Sequence, residues 1–186
     1  GQENDEAMDL CVDANGSTYV TGYSKAVKSD YDVTTLKIGT DGMLEWEVHY
    51  DYINAKGDDR GAKIVLDAEG NVYVTGTSDG NPGSKTDMDI VLLKYNPKGI
   101  LIWNKRYAGK AAGDESVSGL KCLSGNRIVL SGTTFNGTDD DILIQQYNDA
   151  GLLQWEKFHN SNIGNDRSSG ITVDNGEKIT LIGTSF

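Results

Sequence analysis

The sequence has few of the residues that build disulfide frameworks and metal centres. Its 186 residues include two cysteines and two histidines. Two cysteines are too few for a disulfide framework. The chain is built from a repeat described below, and Cys11 and Cys122 lie in the first predicted strand of its first and third copies. A complete copy separates them, and their positions within the strand place them on opposite faces. We therefore expect two buried thiols and no bridge, with no metal or nucleophile role.

Basic residues and long apolar runs are also scarce. Seventeen Lys and Arg stand against 28 Asp and Glu, which gives a formal net charge of −11. This charge repels phosphate backbones and anionic lipid surfaces, so we expect no nucleic-acid partner. No stretch approaches the roughly 18 apolar residues that span a bilayer, and residues 1–4 lack the basic start of a signal peptide. We therefore expect no membrane insertion, with any export signal removed or outside this segment.

The chain is instead rich in internal repetition. The phrases STYVTG, NVYVTG, RIVLSG and KITLIG close on Gly22, Gly76, Gly132 and Gly183. One unit of about 54 residues thus recurs along the chain, and a repeat of this period is typical of stacked or radial architectures. Residues found in every copy are best explained as parts of the repeat itself.

Each complete repeat contains four strand-like segments joined by tight turns. In the first copy Met8, Leu10 and Val12 alternate with polar residues, which predicts a strand with one buried face. Asn15 and Gly16 supply the positive φ that a tight turn requires. No window shows helical spacing. We predict an all-β protein, a β-propeller of four-stranded antiparallel blades. About three and a half blades are present, at about 5–54, 59–110 and 114–161, with a half blade at about 166–186.

The repeat resembles a known family on specific residues. The second copy carries Asp59, Val65-Leu66-Asp67, Gly70 to Gly76, Asp89, Lys94, Gly99 and Trp103, and the first copy carries Asp13, Tyr19, Gly22, Asp32, Lys37, Gly42 and Trp46. This pattern is similar to the bacterial seven-bladed β-propeller repeat, the SBBP-type repeat. The third copy departs from it at Leu123, Val129 and Gln146. The resemblance implies a secreted or cell-surface bacterial protein, often large and multidomain, and it implies no defined ligand or reaction.

Acidic pairs stand immediately before the third strand of each complete repeat. These candidate metal ligands are Asp30 and Asp32, Asp87 and Asp89, and Asp139 and Asp141. Clustered carboxylates suit calcium. Asp also accepts backbone N–H bonds in loops, and recurrence in every copy favours this structural role. We expect no cofactor, with calcium left open.

The aromatic residues and histidines of the fourth strand also permit two interpretations. Trp46, Trp103 and Trp155 share one position, with Tyr50, Tyr107 and His159 four residues later on the same face. Exposed rings could stack on sugars, but one large ring per blade most economically fills the wedge between sheets. His49 and His159 lie at adjacent positions of the repeat, so we expect no repeated ligand pair.

The sequence favours a binding role over catalysis. It contains no GxSxG elbow, HExxH helix or phosphate-binding glycine loop. The first hypothesis is a non-enzymatic extracellular, cell-surface or periplasmic module that binds protein or carbohydrate through loops such as 79–86 or acts as a scaffold. The alternative is a catalytic propeller, quinoprotein-like or polysaccharide-processing. Three and a half blades cannot close a ring, so we also expect the rest of a longer chain, or other material, to complete the propeller.

Overall fold

The computed structural model describes residues 4–25, 30–52, 57–80 and 87–185. Within them, fourteen strands form four antiparallel sheets in which consecutive strands pair in chain order. Blade 1 comprises β1 (Glu6–Val12), β2 (Thr18–Lys25), β3 (Tyr31–Ile38) and β4 (Leu44–Tyr50); blade 2 comprises β5 (Asp59–Leu66), β6 (Val72–Asp79), β7 (Met88–Tyr95) and β8 (Leu101–Tyr107). Blade 3 comprises β9 (Ser116–Leu123), β10 (Arg127–Phe135), β11 (Asp140–Tyr147) and β12 (Leu153–His159), and blade 4 comprises β13 (Arg167–Val173) and β14 (Ile179–Thr184).

The blades are arranged as in a propeller. The first strands β1, β5, β9 and β13 contact one another in succession. These strands therefore lie nearest the centre, and the fourth strands lie at the outer rim. The all-β class and the blade pattern predicted from the repeat are confirmed.

Turn chemistry shapes each blade. The turn between the third and fourth strands places a glycine in the left-handed region, with φ of 77° at Gly99 and 72° at Gly151. A side chain with a Cβ adopts this conformation only under strain. The turn between β9 and β10 is a short 3₁₀ segment, Ser124–Asn126, and the described residues contain no helix that could cross a bilayer.

The core lies between the blades. Tyr19 and Val33 of blade 1 pack against Val74 and Leu93 of blade 2. Similar clusters join blades 2 and 3 through residues such as Leu92 and Leu130, and blades 3 and 4 through residues such as Val129 and Ile171. Because the strands alternate, one face of each blade packs against the preceding blade and the other against the following blade.

Each blade has two edges. We call the edge that carries the turns between first and second and between third and fourth strands the turn edge. The opposite edge, with the loops between second and third strands and the links between blades, is the loop edge. Residues 81–86 of the long loop that was predicted to bind ligands lie outside the described residues.

Candidate functional site

The tryptophans join neighbouring blades at the turn edge. Trp46 Nε1 donates to the carbonyl oxygen of Pro97 in the next blade at 3.1 Å, and Trp103 Nε1 donates to that of Asp149 at 3.0 Å. Each ring lies against the turn glycine of that next blade. A Cβ added to Gly99 would lie 3.0 Å from the Trp46 ring, and one added to Gly151 would lie 2.9 Å from the Trp103 ring. Trp155 packs in the cluster between blades 3 and 4. The core interpretation of the tryptophans is therefore confirmed.

A buried lysine network lies beside Trp103. The ammonium of Lys94 forms an ion pair with Asp149 of blade 3. The Tyr73 hydroxyl contacts Asp149 Oδ1 at 3.1 Å and Asp67 Oδ2 at 3.2 Å. The hydrogen bond from Lys94 lowers the pKa of Asp149. These residues of the family pattern therefore stabilise the junction between blades 2 and 3.

The other repeats modify this network. In blade 1 Tyr19 contacts Asp13 at 3.4 Å, and Lys37 pairs with Glu45 at 2.8 Å because the next blade has Pro97 where blade 3 has a carboxylate. In blade 3 Val129 replaces the tyrosine and packs in an apolar cluster against blade 4. The network thus differs from blade to blade, as expected of residues that adapt to the side chains of the neighbouring blade.

At the loop edge, a side chain of each following blade forms a hydrogen bond to the backbone of the preceding blade. At each junction, one residue just before the first strand accepts the backbone N–H that starts the third strand of the preceding blade. The bonds run from Tyr31 N to Asp58 Oδ1 at 3.2 Å, from Met88 N to Asp114 Oδ1 at 3.1 Å, and from Asp140 N to Asn165 Oδ1 at 3.0 Å. Sequence reasoning missed these contacts, although the recurring pairs Asp58-Asp59, Asp114-Glu115 and Asn165-Asp166 were a visible signal.

The second residue of each pair is a buried acid. Asp59, Glu115 and Asp166 are exposed by 1%, 2% and 0%. Glu115 Oε1 accepts a hydrogen bond from Thr134 Oγ1 at 2.9 Å. Burial raises the pKa of Glu115 to about 7 and that of Asp59 to about 6. Repulsion by the charge of Asp89 acts in the same direction on the pKa of Glu115, because two nearby buried charges of one sign disfavour each other.

Three of the predicted calcium ligands, Asp89, Asp139 and Asp141, contact other side chains of the protein. Asp89 forms an ion pair with Arg106. Asp139 and Asp141 both accept from the side-chain amide of Asn136, with 2.8 Å to Asp141. In this loop the backbone cap is Asn136 Oδ1 rather than either carboxylate, which corrects the capping role expected for blade 3.

The remaining candidates lie in blade 1 or beside the second loop. Burial, and then repulsion by Asp51, raise the pKa of Asp32. Asp30 and Asp87 are half-buried beside strands β3 and β7. Among the described residues, no three or more His, Cys, Asp or Glu side chains gather in a group that could hold a metal ion.

The cysteines and histidines are not brought together. Cys11 packs between blades 1 and 2 and Cys122 between blades 2 and 3, and both are free thiols. They are half-buried rather than buried, which corrects that expectation. Burial raises the pKa of Cys11 to about 12 and that of Cys122 to about 11, so both are protonated at neutral pH. His49 and His159 are exposed and lie at adjacent positions of the repeat.

A cavity opens at the loop edge where blade 3 meets blade 4. Its volume is about 570 Å³. Its wall includes Phe135, Asp114, Asp140 and Arg167. Arg167 donates to Asp140 Oδ2 from Nε at 2.9 Å, and its terminal nitrogen lies 2.8 Å from the same oxygen. The cavity therefore combines an aromatic ring with an oriented ion pair and a further carboxylate.

The cavity exists because two tyrosines of blade 1 have smaller counterparts in blade 3. At the junction between blades 1 and 2, Arg60 lies 5.0 Å from the ring centres of both Tyr23 and Tyr31. The corresponding positions of blade 3 are Thr133 and Asp140, which also line the cavity. The rings that cover the arginine in one junction are thus absent in the other. In the sequence, Thr133 and Asp140 are visible as departures from the residues of the first repeat. That Arg167 would lie opposite them could not be predicted from the sequence.

The fold and its repeated junctions define an arc of a β-propeller. Residues 52–84 match the SBBP beta-propeller repeat. The chain thus carries an SBBP-type β-propeller repeat, which confirms the resemblance seen in the residues of the second copy. No curated protein is significantly similar to the chain in sequence.

Solved structures with a similar fold share little sequence with the chain. A protein of unknown function from Bacteroides caccae is 12% identical with a TM-score of 0.59, covering 96% of this chain and 53% of its own length. The endo-arabinase of Bacteroides thetaiotaomicron VPI-5482 is 13% identical with a TM-score of 0.56, and the alignment covers 97% of this chain and 70% of the arabinase. PorZ, a surface component of the type-IX secretion system of Porphyromonas gingivalis, is 9% identical with a TM-score of 0.53. The alignment covers 96% of this chain and 25% of PorZ. At these identities the likeness concerns the fold alone.

Proposed function

We propose that the chain is a non-enzymatic module of an extracellular or cell-surface protein, and that it binds a protein or glycan ligand at its loop edge. The observation that carries this proposal is the cavity lined by Phe135, Asp114, Asp140 and Arg167. A ring beside a few convergent polar groups suits a ligand that presents both an apolar face and hydroxyl or amide groups. PorZ, a surface component with a similar fold, is consistent with this location.

A binding role also fits the chemistry of the buried acids. Glu115 and Asp89 are 2% and 1% exposed inside a blade junction. Paired carboxylates that cleave glycosides flank the bond to be broken and must reach the substrate, which these buried side chains do not. The proposed role requires no cofactor, and Asp89 and Asp141 already have Arg106 and Asn136 as partners.

The test is a glycan and peptide array followed by calorimetry with each hit. Phe135→Ala should weaken binding of the hit at least about fivefold, because stacking on one ring contributes on the order of 1 kcal/mol or more. Thr138→Ala is the matched control, because Thr138 is exposed in the same loop and lies outside the cavity wall. Equal affinity of both variants would reject the cavity as the site. Turnover of a bound glycan would favour the catalytic alternative, such as a polysaccharide-processing enzyme.

A further inference from the structure

Three equivalent positions at each blade junction form a small site at the loop edge. They are the residue after the repeat glycine of the second strand, the first residue of the third strand, and the residue after the buried acid of the next blade. In chain order the three sets are Tyr23, Tyr31 and Arg60; Thr77, Met88 and Ser116; and Thr133, Asp140 and Arg167. The first set has an arginine and two rings, and the second has neither. Of the junctions in the described part of the chain, the third alone has the arginine without the rings.

The guanidinium of Arg167 is oriented by its edge. Nε and a terminal nitrogen of this group lie 2.9 and 2.8 Å from Oδ2 of Asp140. Such an edge-on ion pair does not use the faces of the guanidinium plane, on which aromatic rings stack. The side chain of Arg167 is 61% exposed, whereas that of Arg60, which two rings cover, is 43% exposed. Arg167 therefore presents an oriented planar cation with more open surface than its counterpart.

The loop-edge cavity lies where the rings lie in the first junction. Its wall includes Asp140 and Arg167, which are two of the three equivalent positions, and Phe135. Phe135 pairs with Asp140 as Lys25 pairs with Tyr31, so the same four positions surround the site in both junctions. The volume of about 570 Å³ lies within the range of pockets that hold small ligands. An aromatic side chain from outside the chain therefore has room beside the arginine.

We infer that the cavity receives an aromatic side chain of a protein ligand, whose ring lies over the guanidinium of Arg167 as Tyr23 and Tyr31 lie over that of Arg60. The inference rests on the binding function proposed for the cavity, and it names the chemistry of the ligand. A guanidinium attracts the electron-rich face of an aromatic ring. The saturated ring of a sugar has no such face, so the arginine favours a protein ligand over a glycan.

Three small probes test this inference by saturation-transfer NMR on the full-length protein. N-acetyl-L-tyrosinamide should bind with a Kd at least about fivefold lower than that of N-acetyl-L-leucinamide, which is the factor that one cation–π contact supplies. Equal Kd values, or no binding of the tyrosine probe, would overturn the inference. Methyl α-D-glucopyranoside is the third probe. Tighter binding of this sugar than of the tyrosine probe would also overturn the inference, but it would leave the proposed binding function in place.

Variants locate the site of the tyrosine probe. Arg167→Gln should raise its Kd at least about fivefold and leave that of the leucine probe unchanged within about twofold. Arg60→Gln is the matched control and should change neither value, because the tyrosines of the chain already cover Arg60. A preference for the tyrosine probe that survives Arg167→Gln would refute the role of the arginine.

A second pair of variants fills the cavity from within. Thr133→Tyr places a ring at the position of Tyr23 and should abolish saturable binding of the tyrosine probe. Thr77→Tyr is its control, because the second junction has Ser116 in place of the arginine, and it should leave binding intact. Melting curves confirm that each variant is folded, and full binding by folded Thr133→Tyr would overturn the inference. If the inference fails while an array hit still depends on Phe135, the proposed function stands; if the hit is also indifferent to Phe135→Ala, both fail.

Discussion

The ion pair between Lys94 and Asp149 provides the sharpest test of how the blades are joined. The side chain of Lys94 is 4% exposed and that of Asp149 is 56% exposed. Asp149→Ala removes the carboxylate but leaves the backbone carbonyl that accepts from Trp103. The Lys94 ammonium then keeps its contact with the Tyr73 ring, 5.0 Å from the ring centre. The variant leaves a nearly buried charge without its partner.

The size of the effect follows from burial. Removing one partner of a fully buried pair costs roughly 3 to 5 kcal/mol. Because Asp149 is half-exposed and water reaches its side of the pair, we expect a loss of about 2 kcal/mol in the free energy of unfolding. Glu45→Ala is the matched control, since it removes the carboxylate from the equivalent Lys37, whose side chain is 15% exposed against 4% for Lys94. That variant should lose less than about 1 kcal/mol.

Urea unfolding of the two variants measures this difference as a shift in midpoint at unchanged slope. The effect of Asp149→Ala should also depend on pH. The pKa of Asp149 is lowered in the folded protein, so its contribution is present above its ordinary value and is lost as pH falls through the lowered one. Lys94→Met with Asp149→Ala should recover much of the loss. Equal costs for Asp149→Ala and Glu45→Ala, or a cost that persists in strong acid, would refute this reasoning.

Two further predictions concern the other junction contacts. The pKa of Glu115 is raised to about 7, so the folded protein binds an extra proton between its ordinary value and that pKa, and its stability falls as pH rises through this range. Glu115→Gln should remove that slope and stabilise the protein by on the order of 2 kcal/mol at pH 8; a wild-type melting temperature that rises between pH 5 and 8 relative to the variant would contradict this. Trp103→Ala should cost about 3 kcal/mol or more, because it opens a cavity against Gly151. Efficient acrylamide quenching of Trp103 in the native protein would argue against it.

Much of the architecture is readable in local patterns. The alternation at Met8, Leu10 and Val12 predicts the strand β1, although the predicted buried face was wrong, since these side chains are 49%, 59% and 55% exposed. Gly99 indicates a turn, and the recurrence of both patterns gives the number of blades in the chain. The tryptophan position was also predictable, since one large ring per blade must fill the wedge between sheets. These features depend on residues close in sequence, so strand period and turn chemistry are sufficient to find them.

The contacts between blades could be decided only by the tertiary structure. Asp58 accepts from the Tyr31 N–H, and Asp114 accepts from the Met88 N–H, across junctions that join residues 27 and 26 positions apart. Strand alternation assigns each side chain to a face, but it does not say which side chain of the next blade lies opposite. The loop-edge cavity has the same origin. Thr133 and Asp140 look like ordinary departures from a repeat until packing places them beside Arg167, where the smaller side chains leave space that two tyrosines fill around Arg60.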